Sequence, residues 1–297
     1  MDLSVVIITY NSSHYISECL RSVLPELGNR KAEIILIDNN SDDNSLELVT
    51  KFSETEFPEN ITIRIIANDV NSGYAPAINQ GMKISSGEYL LLLHPDVNIR
   101  ENCLKIMSET LNEESSLGMV APQFLFPNES IQPSCRRFPN YSSVIYEALG
   151  LTKLFSSSKT FNAWKMGDFD HSSRREVDQP MSACVLLKRE VLNQVGLMDE
   201  QFVMFFNDVD WCKRIKDAGW KIVFNPDATV EHVLGGSVKS VRSRMILKSH
   251  TGFYLYFQKH FRKPSQRIMN QIMGLILVMS ALPRIITDKF ITLLRVD

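Results

Sequence analysis

The sequence predicts an α/β fold: a doubly wound, mostly parallel sheet flanked by helices, with a helical extension at its C-terminal end. Three observations carry this expectation. Short apolar, β-branched runs alternate with stretches of helical spacing four times in the first 112 residues, the alternation that yields parallel strands with right-handed crossovers. The fourth run, Tyr89 to Leu93, is apolar without interruption, as strands covered on both faces are. Each run ends in a cluster of polar turn residues, and in an open α/β sheet those clusters share one edge, outside the carboxyl ends of the strands, where ligands bind.

Leu3 to Thr9 reads as the first strand, and Tyr10-Asn11-Ser12-Ser13 supply turn and cap groups. Ile16, Leu20, Val23 and Leu24 fall at helical spacing and predict a helix over 14–24 that stops before Pro25. Glu33 to Asp38 is the second strand, followed by Asn39 to Ser45 and a helix over 46–52. Thr62 to Ala67 is the third, and Asn68 to Tyr74 turns into a helix over 75–84. The fourth, Tyr89 to Leu93, meets Pro95, which cannot continue a ladder, and so delivers His94 and Asp96 to the edge.

Met119 to Phe124 is a fifth strand, after which residues 127–179 show only weak helical pattern and read as an irregular insert, either a functional lid or partly disordered. Met181 to Leu187 returns as a strand, and Arg189 to Val195 as a short helix closed by Gly196. From Asp208 the pattern is helical again, with Asp208, Trp211, Cys212, Ile215 and Ala218 on one stripe. Asp210 and Arg214, at i and i+4 on another stripe, read as a solvated pair. Trp220 to Phe224 is a further strand that Asn225-Pro226 ends.

The formal net charge of −2 gives no general attraction to nucleic acid, so no nucleic-acid partner is expected. Five scattered cysteines without CxxC spacing indicate neither a disulfide framework nor a zinc site, and fit a reducing cytoplasm. The N-terminal residues lack the basic start of a secretory signal. Residues 268–283 carry no charge but are short for a spanning helix. Flanked by basic residues, they fit a membrane surface, with a packed hairpin or a homodimer contact as the alternative.

Four polar strand ends define the candidate site: Thr9 to Asn11, Asp38 to Asn40, Asn71 to Gly73, and His94 to Asp96. One such turn alone is an ordinary cap, whereas four on one edge point to a ligand. The edge has neither GxGxxG nor GxxxxGK[ST], which removes the main support for a dinucleotide oxidoreductase or a P-loop phosphotransferase. Asparagine and aspartate groups suit a base and ribose hydroxyls, and the Asp96 carboxylate suits a divalent cation on phosphate oxygens. Asp208, an acid on an inward stripe, either caps its helix or meets a metal or substrate. His232, before Gly235-Gly236, is either structural or a ligand.

Set side by side, these stretches resemble the inverting family 2 glycosyltransferases of the GT-A fold, in particular the bacterial rhamnosyltransferase-like branch. Val5 to Asn11 is similar to the opening strand and nucleotide turn, Ile37 to Asp43 to the second turn, and Asn71 to Gly81 to the segment over ribose and diphosphate. His94-Pro95-Asp96 stands at the DxD motif, which that branch writes Asn-Pro-Asp, and Phe206-Asn207-Asp208-Val209-Asp210 stands at its Glu-Asp-Val-Asp motif.

The resemblance implies a sugar transferred from a nucleotide-diphosphate donor, dTDP-rhamnose first and a UDP-sugar next, to a saccharide or lipid-linked saccharide in surface polysaccharide synthesis. It implies donor contacts from Thr9, Tyr10, Asn11, Asp38, Asn40, Gly73, Asn79, His94 and Asp96. It also implies Mg²⁺ or Mn²⁺ held by Asp96 and His232, Asp208 as the base, and Asn207 and Trp211 on the acceptor side. Residues 1–240 would form the catalytic domain and 241–297 a helical segment that meets the inner face of the cell membrane. A sugar nucleotidyltransferase is the competing enzyme class, though the first turn lacks the glycine- and arginine-rich loop it would need. A non-catalytic sugar-nucleotide-binding protein is the third reading.

Overall fold

In a computed structural model, residues 2–55, 58–202, 205–233 and 242–293 are described. The N-terminal half runs β1 (Leu3–Thr9), α1 (Ile16–Leu27), β2 (Ala32–Asp38), α2 (Ser45–Thr55), β3 (Ile61–Ala67), α3 (Tyr74–Ile84), β4 (Tyr89–Leu93), β5 (Val97–Ile99), α4 (Cys103–Asn112) and β6 (Leu117–Leu125). The insert holds β7 (Ile131–Gln132), β8 (Cys135–Arg136), α5 (Tyr141–Ala148), α6 (Leu151–Leu154), β9 (Arg175–Glu176) and β10 (Gln179–Pro180). Then follow β11 (Cys184–Lys188), α7 (Arg189–Val195), α8 (Asn207–Asp217), β12 (Lys221–His232), α9 (Arg242–His260) and α10 (Pro264–Leu293).

The main sheet has the order β3-β2-β1-β4-β11-β6-β12-β5. β3, β2, β1 and β4 are parallel, and β11 runs antiparallel between β4 and β6. β12 is parallel to β6, and β5 closes the far edge antiparallel to β12. The carboxyl ends of β1, β2, β4 and β12 therefore share one edge, together with the amino end of β11.

Side-chain alternation along the strands builds two cores. Val5, Ile7, Ile34, Leu36, Leu91 and Leu93 face one side, under α1, α2 and α4. Val6, Ile8, Ile35, Ile37, Leu90 and Leu92 face the other, under α3, α7 and α8. Burying each such side chain contributes about 1.5–3 kcal/mol, which is why unbroken apolar runs are needed in the central strands. Gly87 lets β4 start hard against β1, since a Cβ there would lie 2.5 Å from the Ser4 nitrogen. All five cysteines are buried and unpaired.

The structure revises several sequence expectations. α1 does not stop before Pro25 but carries it in its last turn, since Leu27 beyond it is fully buried and holds the turn in place. β12 does not end at Pro226. Asn225 pairs with Pro122 and Thr229 with Gln123, so residues 226–228 leave the ladder as a bulge that absorbs the proline, and the strand runs on to His232.

The insert is not irregular throughout. Buried His171 accepts the Ser134 and Cys135 backbone N–H groups at Nε2, both at 3.2 Å, and donates Nδ1–H to the Phe169 carbonyl. The carbonyl of His171 accepts Gln123 Nε2 from β6 at 2.7 Å, which fastens the insert to the sheet. α9 and α10 form a hairpin whose Phe253, Tyr256, Phe257, Met273 and Leu277 join Val144, Phe202, Phe206 and Val209 in a third core. Among the described residues no helix is long and apolar enough to cross a membrane.

Candidate active site

The polar edge begins as a web of short side chains. Asp38 is buried and accepts Thr9 Oγ1 at 2.9 Å, Ser41 Oγ at 2.6 Å and the Ser41 backbone N–H at 3.0 Å, so Thr9 and Asp38 brace each other. Asn11 and Asn40 both adopt left-handed backbone, φ 51° and 63°, which asparagine tolerates, and Asn11 Oδ1 accepts the Asp42 N–H. Tyr10 is exposed beside them. Asn39 binds the second turn to the third: its Nδ2 donates to Asn71 Oδ1 and the Gly73 carbonyl, and its Oδ1 accepts Asn68 Nδ2 and the Ser72 N–H. Gly73, at φ 90°, then starts α3.

At the centre of the sheet His94 N–H donates to the Ala183 carbonyl at 2.8 Å, and the 94–97 turn carries the chain into β5. β5 is paired with β12 so that Val97 faces His232. That register, reached only because β12 passes its bulge, sets His232 Nε2 3.4 Å from Asp96 Oδ2. His232 Nδ1–H donates to Gln132 Oε1 of β7 at 3.1 Å, with both side chains buried. Burial opposes ionisation of Asp96, but the His232 contact and the neighbouring imidazoles hold its carboxyl below the ordinary carboxylate range.

His94 Nδ1 lies 4.0 Å from Asp96 Oδ1. Its Nε2 is shielded from water and has no hydrogen-bond partner among the described residues, and its pKa is pushed down to about 4, burial being the largest cause. A neutral imidazole with an unused nitrogen therefore lies next to the carboxylate.

The second carboxylate arrives from the other side of the edge. Asp208, in the first turn of α8, accepts Gln179 Nε2 at Oδ2 at 2.8 Å and the Val209 backbone N–H at Oδ1. It therefore makes a cap-like contact and also binds a side chain of the insert. Its pKa is raised: desolvation outweighs these contacts and the nearby Arg136 guanidinium. Tyr74 joins the halves. Its ring stands edge-on to His94, centroids 5.2 Å apart, while burial and then the Asp208 carboxylate push its hydroxyl above the ordinary range.

Three expected site residues point elsewhere. Asn79 is buried and clasps the 198–200 segment, exchanging hydrogen bonds with the Met198 backbone N–H and carbonyl at 3.0 and 2.9 Å and reaching Glu200 Oε1. Trp211 is fully buried with Nε1–H on the Gly196 carbonyl at 2.9 Å, a core residue on the α8 stripe rather than an acceptor contact. Asn207 is buried against Met198 Sδ. Conversely, Asn39, Tyr74, Gln132 and Gln179 belong to the edge. Asn39 lay inside a polar turn and Tyr74 inside the Asn71 to Gly81 stretch, whereas Gln132 and Gln179 carried no signal in the sequence.

Asp210 is not a solvated residue. It is fully buried and accepts Arg214 Nε at 2.9 Å, Lys259 Nζ at 2.9 Å and His260 Nε2 at 2.8 Å, because the end of α9 closes over it. Lys259 also reaches Asp199 at 2.6 Å. Burial works against the Asp210 charge, but these contacts win and lower its pKa.

A doubly wound, mostly parallel sheet with four polar turns along one edge has the GT-A-type fold of its solved structural neighbours. The chain belongs to glycosyl transferase family 2, whose family model matches residues 4–194. It is 24% identical over 265 residues to an N-acetylglucosaminyl-diphospho-decaprenol L-rhamnosyltransferase of Mycobacterium tuberculosis, covering 86% of this chain and 83% of that one. It is 25% identical over 246 residues to the dTDP-rhamnosyl transferase RfbF of Shigella flexneri, covering 81% and 71%. Its fold is similar to that of the mannosyltransferase PcManGT of Pyrobaculum calidifontis, solved with GDP-Man and Mn²⁺, with a TM-score of 0.60 at 15% identity over 98% of this chain and 80% of that one. The chain is thus a family 2 glycosyltransferase with rhamnosyltransferases among its relatives.

Proposed function

We propose that the protein is an inverting glycosyltransferase that moves a sugar from a nucleotide-diphosphate donor to a hydroxyl of a saccharide or lipid-linked saccharide in surface polysaccharide synthesis, working at the cytoplasmic face of a membrane. The observation that carries the reading is a pair of carboxylates linked through the His94–Tyr74 ring contact and tuned in opposite directions: Asp96 is held ionised beside His232, and Asp208 has a raised pKa and forms no salt bridge among the described residues. A deoxysugar donor of the dTDP-rhamnose type comes first, with a UDP-sugar next, since two relatives carry rhamnosyl transfer in their names.

Asp208 takes the proton of the acceptor hydroxyl as that oxygen attacks the anomeric carbon, and the nucleoside diphosphate leaves from the opposite face in one displacement. Its raised pKa makes it a stronger base than an ordinary aspartate of about 3.9. Tyr10, Asn11 and Asn40 lie where a base and ribose would be held, Gly73 allows close backbone approach, and the Thr9–Asp38 and Asn39 bonds keep those turns rigid. His94 and Tyr74 wall the site between the two carboxylates.

Among the described residues no three His, Cys, Asp or Glu side chains gather as a closed metal cage. The groups present nevertheless fit a cation that takes most of its ligands from phosphates and water, because Asp96 offers a hard oxygen beside the Nε2 of His232. Asp96 and His232 would hold such an ion, Mg²⁺ or Mn²⁺, and when bound it would offset charge on the leaving diphosphate.

The test is Asp208→Asn, assayed with nucleotide sugars and a saccharide acceptor. Transfer should fall by roughly 10²- to 10⁴-fold with donor affinity nearly unchanged. Near-normal turnover would remove Asp208 from the chemistry. Absence of transfer by the unaltered chain with any donor, while nucleotide still binds, would favour a non-catalytic sugar-nucleotide-binding protein.

A further inference from the structure

The α10 helix is apolar on two opposite faces. Asn270, Met273, Leu277 and Ala281 turn inward and are buried. On the far side Ile268, Ile272, Leu275 and Met279 succeed one another at i, i+4, i+7 and i+11, and they are 68%, 46%, 62% and 63% exposed. An ordinary surface helix has one apolar stripe, turned to the core; a second stripe directly opposite is uncovered among the described residues. The neighbouring α5–α6 pair, joined to α10 by Tyr141 Oη on Asn270 Oδ1 at 2.7 Å, adds Leu149 and Leu154 at 68% and 73% exposed.

Charge identifies the cover. Residues 242–293 contain nine arginines and lysines and a single acid, Asp288. Arg262, Lys263 and Arg267 are exposed at the start of α10, directly before Ile268. Packing a second copy on this stripe would crowd cations together, whereas anionic lipid headgroups neutralise them while the region below takes the apolar side chains. We infer that the outer face of α10 docks the enzyme on an anionic lipid bilayer, lying in the interface plane and not crossing it.

The hairpin is fastened to α8 at Asp210, two residues from Asp208, by Lys259 and His260. Docking therefore sets the position of the base relative to the membrane. The benefit to an acceptor carried in that membrane rests on the reading of the acceptor above; the docking itself does not.

The experiment is co-sedimentation of the full chain with vesicles containing phosphatidylglycerol and with vesicles of phosphatidylcholine alone, alongside the pairs Ile272→Glu/Leu275→Glu and Lys263→Glu/Arg267→Glu. The unaltered chain should bind the anionic vesicles only, and less as salt rises. Each pair should lower partitioning by about tenfold or more, with the thermal midpoint and transfer to a soluble saccharide acceptor unchanged. Equal partitioning of both pairs and the unaltered chain overturns the proposal. So does a chain that ignores vesicles and sediments as a dimer in the ultracentrifuge. Binding to anionic vesicles by a chain that transfers no sugar supports the docking and counts only against the enzymatic reading.

Discussion

Desolvation raises the pKa of Asp208, so the folded chain holds that proton more tightly than the unfolded chain does. The stability this group contributes is therefore full below about pH 3.9 and is lost as pH rises through its folded value. Asp208→Asn should accordingly melt at a higher temperature than the parent at pH 7, with a smaller difference near pH 4, even as transfer collapses. With Asp208 in the proposed role of base, the same shift should place the acid limb of the kcat/KM profile above the range of an ordinary aspartate. Asp96 is opposite in sign. Its lowered pKa contributes stability above the ordinary carboxylate value that is lost as pH falls through the folded one, so Asp96→Ala should melt lower than the parent at pH 7 and should abolish metal-dependent donor binding in a calorimetric titration; donor affinity that still responds to Mn²⁺ would contradict the assignment. Asp208 was legible because an acid on an apolar helical stripe is chemically out of place. Trp211 on the same stripe was not told apart from it, since spacing gives the face but not the depth. Gln132 and Gln179 lack any local signal; their importance comes from contacts between distant segments.

Among elements, the α9–α10 hairpin and the insert depend most on individual polar residues. Asp210 gathers Arg214, Lys259 and His260 at one buried point, so Asp210→Ala leaves three donors facing an empty site and should cost about 3 kcal/mol in a denaturant titration. A solvated pair, which the i, i+4 spacing alone suggested, would cost only about 0.2–0.5 kcal/mol. The insert depends on His171, whose Nε2 must remain an acceptor and whose pKa burial depresses. Its contribution is present above the unfolded value of about 6.5 and is lost as pH falls toward the lower folded one. Hydrogen exchange across 129–180 should speed up at pH 5 relative to pH 7.5 beyond the intrinsic change, and this dependence should vanish in His171→Phe. Proline rules misplaced the ends of α1 and β12, because buried Leu27 and a bulge outweighed them. The bulge matters for the site, as it carries His232 to Asp96.

For the molecule as a whole, the first 112 residues could be read almost unit by unit because each strand and its helix are contiguous in sequence. The antiparallel entry of β11 between β4 and β6, and the third core under the hairpin, were not legible, since both arise from pairing across long separations. That core also bears on domain structure. A chain ended after residue 240 would strip cover from Phe202, Phe206 and Val209, and we expect it to aggregate or to melt well below the full chain in a thermal scan. The burial of every cysteine has a practical consequence for following such opening. Burial pushes each thiol toward its protonated form, Cys135 to about 12, and keeps reagents away from it. The native chain should thus be silent to Ellman's reagent over minutes, and all five sulfurs should respond in denaturant. Because Cys19 reports on α1, Cys103 on α4, Cys135 on the insert, Cys184 on β11 and Cys212 on α8, the order in which they become labelled would chart the sequence of opening without any added probe.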